Sequence, residues 1–128
     1  MYQRKNPETD LCPFEYALSF LKGKWDIRVL CLLAHNHRMR YGQFKHFLPE
    51  ISDTVLSSVL KKMADHQIVE KEVYDELPMR VDYTLSDKGK TVVPILQSLC
   101  RWSSEYHRDG QQVKKCNDCK YGISKPDL

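Results

Sequence analysis

The side chains of this 128-residue chain best suited to chemistry are its five cysteines and a run of hydroxyl and basic residues between positions 38 and 62. Cys12 stands directly before Pro13, with the apolar spacing of Phe14, Ala17, Leu18 and Leu21 behind it, which predicts that Cys12 caps a helix. Backbone N–H groups at a helix start favour a thiolate, although Glu15 works against it or completes a capping box. Two readings of Cys12 therefore stand together: a reactive thiol, and a small residue that caps and packs. Cys31 lies inside an apolar segment and is expected to be a buried small hydrophobe. Cys100 is expected to pack, with pairing across subunits as its alternative. Cys116 and Cys119 form one Cys-x-x-Cys in a polar tail, two ligands where a zinc site needs about four. A dithiol switch there is chemically open, but an uncommitted tail is the expectation. The histidines (His35, His37, His46, His66, His107) show no ligand spacing, so no metal or other cofactor is expected.

Composition points the same way. The chain is 41% hydrophobic and 29% charged with a net charge of +3, the profile of one ordinary globular domain whose mild basicity permits a polyanionic partner without demanding one. No apolar run approaches the roughly 18 residues that span a membrane. The N-terminal MYQRKNPETD has no apolar core of a signal peptide, which makes the cytoplasm the expected location and reduced thiols the expected state. Glycine-rich phosphate loops, a readable Ser/His/Asp set and paired carboxylates are all missing from the pattern, so an enzyme is not expected.

The elements that must position these residues follow from periodicity. Residues 1–11 read as a flexible arm, 12–107 as one domain and 108–128 as a polar tail. A first helix from Pro13 stops at Gly23, and WDIRVLCLLA makes a central, mostly apolar helix from about Lys24 to Ala34. HNHRMR reads as a polar turn, followed by a short helix at about Tyr41–Phe47 with Phe44, Phe47 and Leu48 inward. Pro49 breaks the pattern and Ser52 restarts it as N-cap of a helix over about Asp53–His66. Its inward stripe is Val55, Leu56, Val59, Leu60 and Met63; its other face carries Thr54, Ser57, Ser58, Lys61 and Lys62. The period then becomes two, with Val69, Lys71, Val73 and then Val81, Tyr83, Leu85 on one side of a hairpin whose tip is Asp75–Met79. A last helix from Ser86 to about His107 is expected to bend at Pro94. The fold class is thus mainly α with a small antiparallel β-hairpin, the element order of a winged helix-turn-helix.

That order gives the hydroxyl and basic residues a use. The fourth helix would enter a major groove N-terminal end first, with Thr54, Ser57 and Ser58 close to base edges and Lys61 and Lys62 on phosphates. Arg38, Arg40 and Lys45 add charge before the turn, and Arg80 at the hairpin base reaches an adjacent groove or backbone. Any one of these alone is an ordinary solvated residue; double-stranded DNA is the partner expected of the ordered set.

The segments CPFEYALSFLKGKW, RYGQFKHFLPEIS, VLSSVLKKMADHQIVEKEVY and LPMRVDYTLSDKGKTVVPIL together resemble the HxlR-type family of bacterial winged helix-turn-helix regulators over about residues 12–107. The resemblance implies a homodimer, and several relatives use a cysteine at the position of Cys12 as an oxidant or electrophile sensor. The chain departs from the family in two places. His66-Gln67-Ile68 stands where relatives place Gly or another residue tolerant of positive φ, and Asp53 sits beside Thr54 on the DNA face, so base preference cannot be borrowed. The stripe Val92, Ile95, Leu96, Leu99, Trp102 and Tyr106 is too long for one small domain to cover, and a partner helix would bury it with help from Phe14 and Leu18. Two such subunits would place their recognition helices one DNA turn apart, roughly 34–36 Å, on an inverted repeat. The same DNA-binding role gated by a small-molecule effector at the dimer interface, and a winged-helix protein-interaction module without DNA, remain as alternative readings.

Overall fold

The computed structural model describes residues 12–106. In chain order the elements are α1 (Pro13–Leu21), α2 (Lys24–Asn36), β1 (Arg38–Arg40), α3 (Tyr41–Phe47), α4 (Asp53–Asp65), β2 (Val69–Tyr74), β3 (Arg80–Leu85), α5 (Asp87–Lys90) and α6 (Val93–Tyr106). The expected arm at 1–11, His107, the expected tail, and Cys116 and Cys119 within it lie outside the described residues.

The central position of α2 follows from its sequence: Val29 through Ala34 are all buried, because Leu, Val and Cys side chains occupy nearly every side of the helix. Around it gather Phe44 of α3, Leu56, Leu60 and Met63 of α4, and Ile68 and Val69 at the start of the hairpin. Side chains buried this fully contribute roughly 1.5–3 kcal/mol each relative to exposure.

HNHRMR departs from the expected polar turn. Its second half is strand β1, paired antiparallel with β3 in the register Arg38↔Thr84, Met39↔Tyr83 and Arg40↔Asp82, so the hairpin is part of a three-stranded sheet ordered β1-β3-β2. The strand forms because Met39 is buried while Arg38 and Arg40 alternate outward, a period too short to register in the sequence. Phe47, expected inward, is largely exposed; α3 ends there, and Leu48 and Ile51 in the turn fill the core instead.

The expected single terminal helix is two. Ser86 caps α5 through its Oγ, which accepts from Gly89 N–H at 2.9 Å. The chain then turns at Thr91–Val92, and Pro94 is the second residue of α6, where its missing N–H breaks no helical bond; it starts a helix rather than bending one. Gly89 is required here, since a Cβ would lie 2.1 Å from the carbonyl oxygen of Ile68. At the end of α4, Ile68 N–H donates to Met63 O (2.8 Å) and Gln67 N–H to Ala64 O (3.0 Å), a Schellman closure that puts Gln67 at φ 62°. The turn expected to need a positive φ has one, with glutamine in the glycine position. Among the described residues, no helix is long and apolar enough to cross a membrane.

Candidate nucleic-acid interface

Helix α4 begins where Pro49 ends the preceding pattern and Ser52 offers a cap: Ser52 Oγ accepts from Val55 N–H at 3.1 Å. Leu56, Val59, Leu60 and Met63 are buried, which turns Thr54, Ser57, Ser58 and Lys61 outward as one exposed face. Lys61 reaches Asp65 one turn on (2.9 Å). Lys62 is rotated away from that face. Its ammonium donates to both carboxylate oxygens of Asp26, at 2.8 and 2.7 Å, and ties α4 to α2.

At the leading end of α4, Asp53 is held by its neighbours. Lys45 of α3 donates to Asp53 Oδ1 at 2.5 Å, and Tyr41 Oη donates to the Asp53 carbonyl at 3.1 Å and lies 3.1 Å from Ser57 Oγ. The ammonium holds the Asp53 carboxyl below the ordinary carboxylate range, and the carboxylate raises Lys45 in turn. The two helices of the helix-turn-helix are thus joined on their exposed side by a polar clasp.

Arg38, Arg40 and Arg80 converge on one face of the sheet, because Arg40 and Asp82 are register partners and residues 80, 82 and 84 share a side. Asp82 is the centre of that face and is 1% exposed. It accepts from Arg80 Nε (3.1 Å) and Nη2 (2.9 Å) and from Arg38 Nη1 (3.0 Å), with Arg40 Nε at 3.9 Å. Arg38 also donates to Glu72 (2.9 Å) and Tyr74 Oη (3.1 Å), while the Arg80 guanidinium stacks 4.6 Å from the Tyr74 ring centroid. Arg80 first, and Arg38 with it, push the Asp82 carboxyl down to about 2 against the cost of its burial. Glu72 and Asp82 raise Arg38, and Asp82 raises Arg80. Each guanidinium has five N–H donors, so these bonds leave others for phosphate.

Neither Asp82, which in the sequence only alternates with Val81, Tyr83 and Leu85, nor Asp26 was among the expected site residues. The signal for Asp26 was local: three residues after Gly23, it accepts the Gly23 N–H at 3.2 Å, the reach of an N3 acid in a capping arrangement. For Asp82 the only signal was its spacing from Arg80.

Cys12 is at the N-cap, with extended dihedrals (φ −59°, ψ 138°), and its thiol makes no capping bond to the helix; it is a half-buried thiol. Its helix is anchored four residues later. Lys88 Nζ donates to Tyr16 Oη (2.6 Å) and to the His66 carbonyl (2.8 Å), and the Tyr16 and Phe20 rings pack on His66 at the end of α4. Of the residues expected at a subunit interface, Phe14, Leu18, Ile95, Leu99, Trp102 and Tyr106 are exposed. Val92 and Leu96 are instead buried in this chain's own core, because the break before α6 turns them inward.

A family profile described as HxlR-like helix-turn-helix matches residues 20–111. An uncharacterized HTH-type transcriptional regulator of Methanothermobacter thermautotrophicus is 38% identical over 96 residues, 75% of this chain and 72% of the relative. Among solved structures, the redox regulator HypR in its oxidized form is 32% identical with a TM-score of 0.66, covering 77% of this chain and 99% of that one. The reduced form of the transcriptional regulator YodB from B. subtilis is 29% identical with a TM-score of 0.70, covering 79% and 99%. YodB has also been solved diamide-treated and quinone-bound. With the fold, the polar face of α4 and these matches in agreement, the chain belongs to the HxlR-like helix-turn-helix family of DNA-binding transcriptional regulators, which are not enzymes.

Proposed function

We propose that this regulator acts in the cytoplasm as a homodimer on an inverted-repeat operator, and that oxidation or alkylation of Cys12 changes its affinity for DNA. The observation that carries the DNA contact is the exposed face of α4, where Thr54, Ser57, Ser58 and Lys61 stand together beyond the Lys45–Asp53 clasp. Small hydroxyl residues let the backbone approach base edges, while Lys61 and the arginines of β1 and β3 reach phosphates. Lys62 contributes by fixing α4 on α2. For the dimer, Ile95, Leu99, Trp102 and Tyr106 fall along one stripe of α6, near-heptad spacing that suits a symmetric partner helix.

The route from Cys12 to DNA is short. Its helix rests on the last turn of the recognition helix through Tyr16, His66 and Lys88, so a bulky or charged adduct at the start of α1 bears on the seat of α4. HypR and YodB, solved in oxidized, reduced and quinone-bound forms, support a thiol-reactive effector here by likeness.

Footprinting upstream of neighbouring genes, with and without a mild thiol oxidant, tests the reading. Protection of two symmetric half-sites that is lost on oxidation, and retained under oxidant by Cys12→Ser, is the expected result. A Cys12→Ser protein still released by oxidant would remove the switch, and affinity that stays flat between low and moderate salt would remove the DNA contact.

A second reading has a specific feature in its favour. A cleft of about 730 Å³ opens between α2, the sheet and the start of α6, lined by Leu33, Leu85, Val93 and Pro94 together with His37, Thr84 and Lys90. Its size suits a small-molecule effector.

A further inference from the structure

We infer that Asp53 and Lys45 act together as a base-reading pair that selects a C·G base pair at one position of each half-site; this rests on the DNA reading above. Helix-turn-helix proteins meet base edges with the N-terminal residues of the recognition helix, and Asp53 is the first residue of α4. It is also among the most open side chains of that face, 72% exposed. A lone carboxylate facing DNA is repelled by the phosphates. Here the charge is cancelled, since Lys45 Nζ lies 2.5 Å from Oδ1, so the pair carries no net charge and cannot serve as a phosphate anchor. What it presents is an acceptor beside a donor.

The two side chains are held ready to do this. Tyr41 Oη fixes the Asp53 backbone and sits against Ser57, and Lys45 and Tyr41 are on α3, so the pair spans the helix-turn-helix rather than wandering with one flexible residue. Both side-chain hydrogen bonds to the Asp53 carboxylate, from Lys45 and from Tyr41, fall on Oδ1, leaving Oδ2 as an acceptor for an incoming group.

The major-groove edges of the four base pairs then separate. Cytosine offers one N–H donor at N4, beside the O6 and N7 acceptors of its guanine, which complements a carboxylate next to an ammonium. Adenine also offers a donor at N6, but its N7 lone pair faces the carboxylate and the thymine methyl crowds the ammonium. Guanine or thymine on the carboxylate side presents only acceptors. A bland alternative exists: an acid in the first turn of a helix, paired to dock α3 on α4. That role predicts a stability change with no change in base preference.

The experiment uses the full chain and a pool of random-sequence duplexes. Wild type is expected to enrich C·G at one symmetric position. Asp53→Ala should relax that position alone by roughly tenfold or more, and Asp53→Asn should move it toward A·T, since an amide pairs with adenine N6 and N7. Identical selected sequences from wild type and both variants would overturn the proposal, whatever happens to their melting temperatures. A wild-type protein that enriches nothing would instead bring down the DNA reading itself.

Discussion

Lys62 and Asp26, thirty-six residues apart, form a two-pronged ion pair of 2.7 and 2.8 Å in which the carboxylate is 3% exposed. A lysine that periodicity places with the outer residues of α4 is therefore part of what seats that helix. Breaking a buried pair from one side costs roughly 3–5 kcal/mol, and Lys62 is partly solvated, so Lys62→Ala should cost about 1–3 kcal/mol. Urea unfolding measures it. Lys61→Ala should leave stability nearly unchanged and instead lower the slope of log affinity against log salt by about 0.9 per subunit, about 1.8 for a dimer on its operator. Equal effects of the two substitutions on both quantities would refute this division.

The Asp82 cluster makes an acid-sensitive link between β1 and β3. Asp82 is held at about 2, below its ordinary 3.8, so its contribution to stability is complete above about pH 4 and disappears as pH falls toward 2. Thermal melts by circular dichroism should show this loss in wild type between those values. In Asp82→Asn the same interval should be flatter, on a protein already less stable at neutral pH.

Gly89 has no room for a methyl group. Its Cβ would meet the Ile68 carbonyl oxygen at 2.1 Å, and that oxygen accepts from both Ser86 N–H (3.0 Å) and Ser86 Oγ (3.1 Å). Gly89→Ala must push α5 away from the hairpin base and strain both bonds. A cost of about 1–3 kcal/mol, seen as a melting temperature lower by several degrees, is the expected outcome.

Gln67 offers the opposite experiment. With φ at 62°, a side chain there crowds its own backbone, while glycine has no such conflict. Gln67→Gly is expected to stabilise the chain by roughly 0.5–1 kcal/mol, less than the steric relief alone because glycine also frees the unfolded chain. A lowered denaturation midpoint would show that the Schellman turn is carried by something other than backbone sterics.

The proposed dimer is tested at Trp102, which is 62% exposed and lies with its ring centroid 5.3 Å from that of Tyr106. Trp102→Glu places a charge in the centre of the stripe and should weaken dimerisation by at least about 2 kcal/mol, read as a shift to monomer mass in light scattering. A wild-type protein that is already monomeric at high concentration would remove the dimer from the mechanism.

Much of this protein was legible before any tertiary contact was known. The Pro49–Ser52 break, the apolar stripe of α4 and the switch to period two at Val69 each depend on neighbours a few residues away, and local backbone chemistry decides them. The same local logic exposes Thr54, Ser57, Ser58 and Lys61, and places Cys12 at a helix start. Long-range partners decided the rest. Arg38–Arg40 is a strand only because β3 lies alongside, and Val92 and Leu96 are inward only because the chain turns before Pro94. Asp26 looks like a surface carboxylate until Lys62, 36 positions away, pairs with it, and Asp82 until strand pairing adds Arg38, 44 positions away, to its neighbour Arg80. The local sequence can say which side chains leave the core; whether a charge is then offered to DNA or spent on another part of the chain depends on what the fold brings within hydrogen-bond distance.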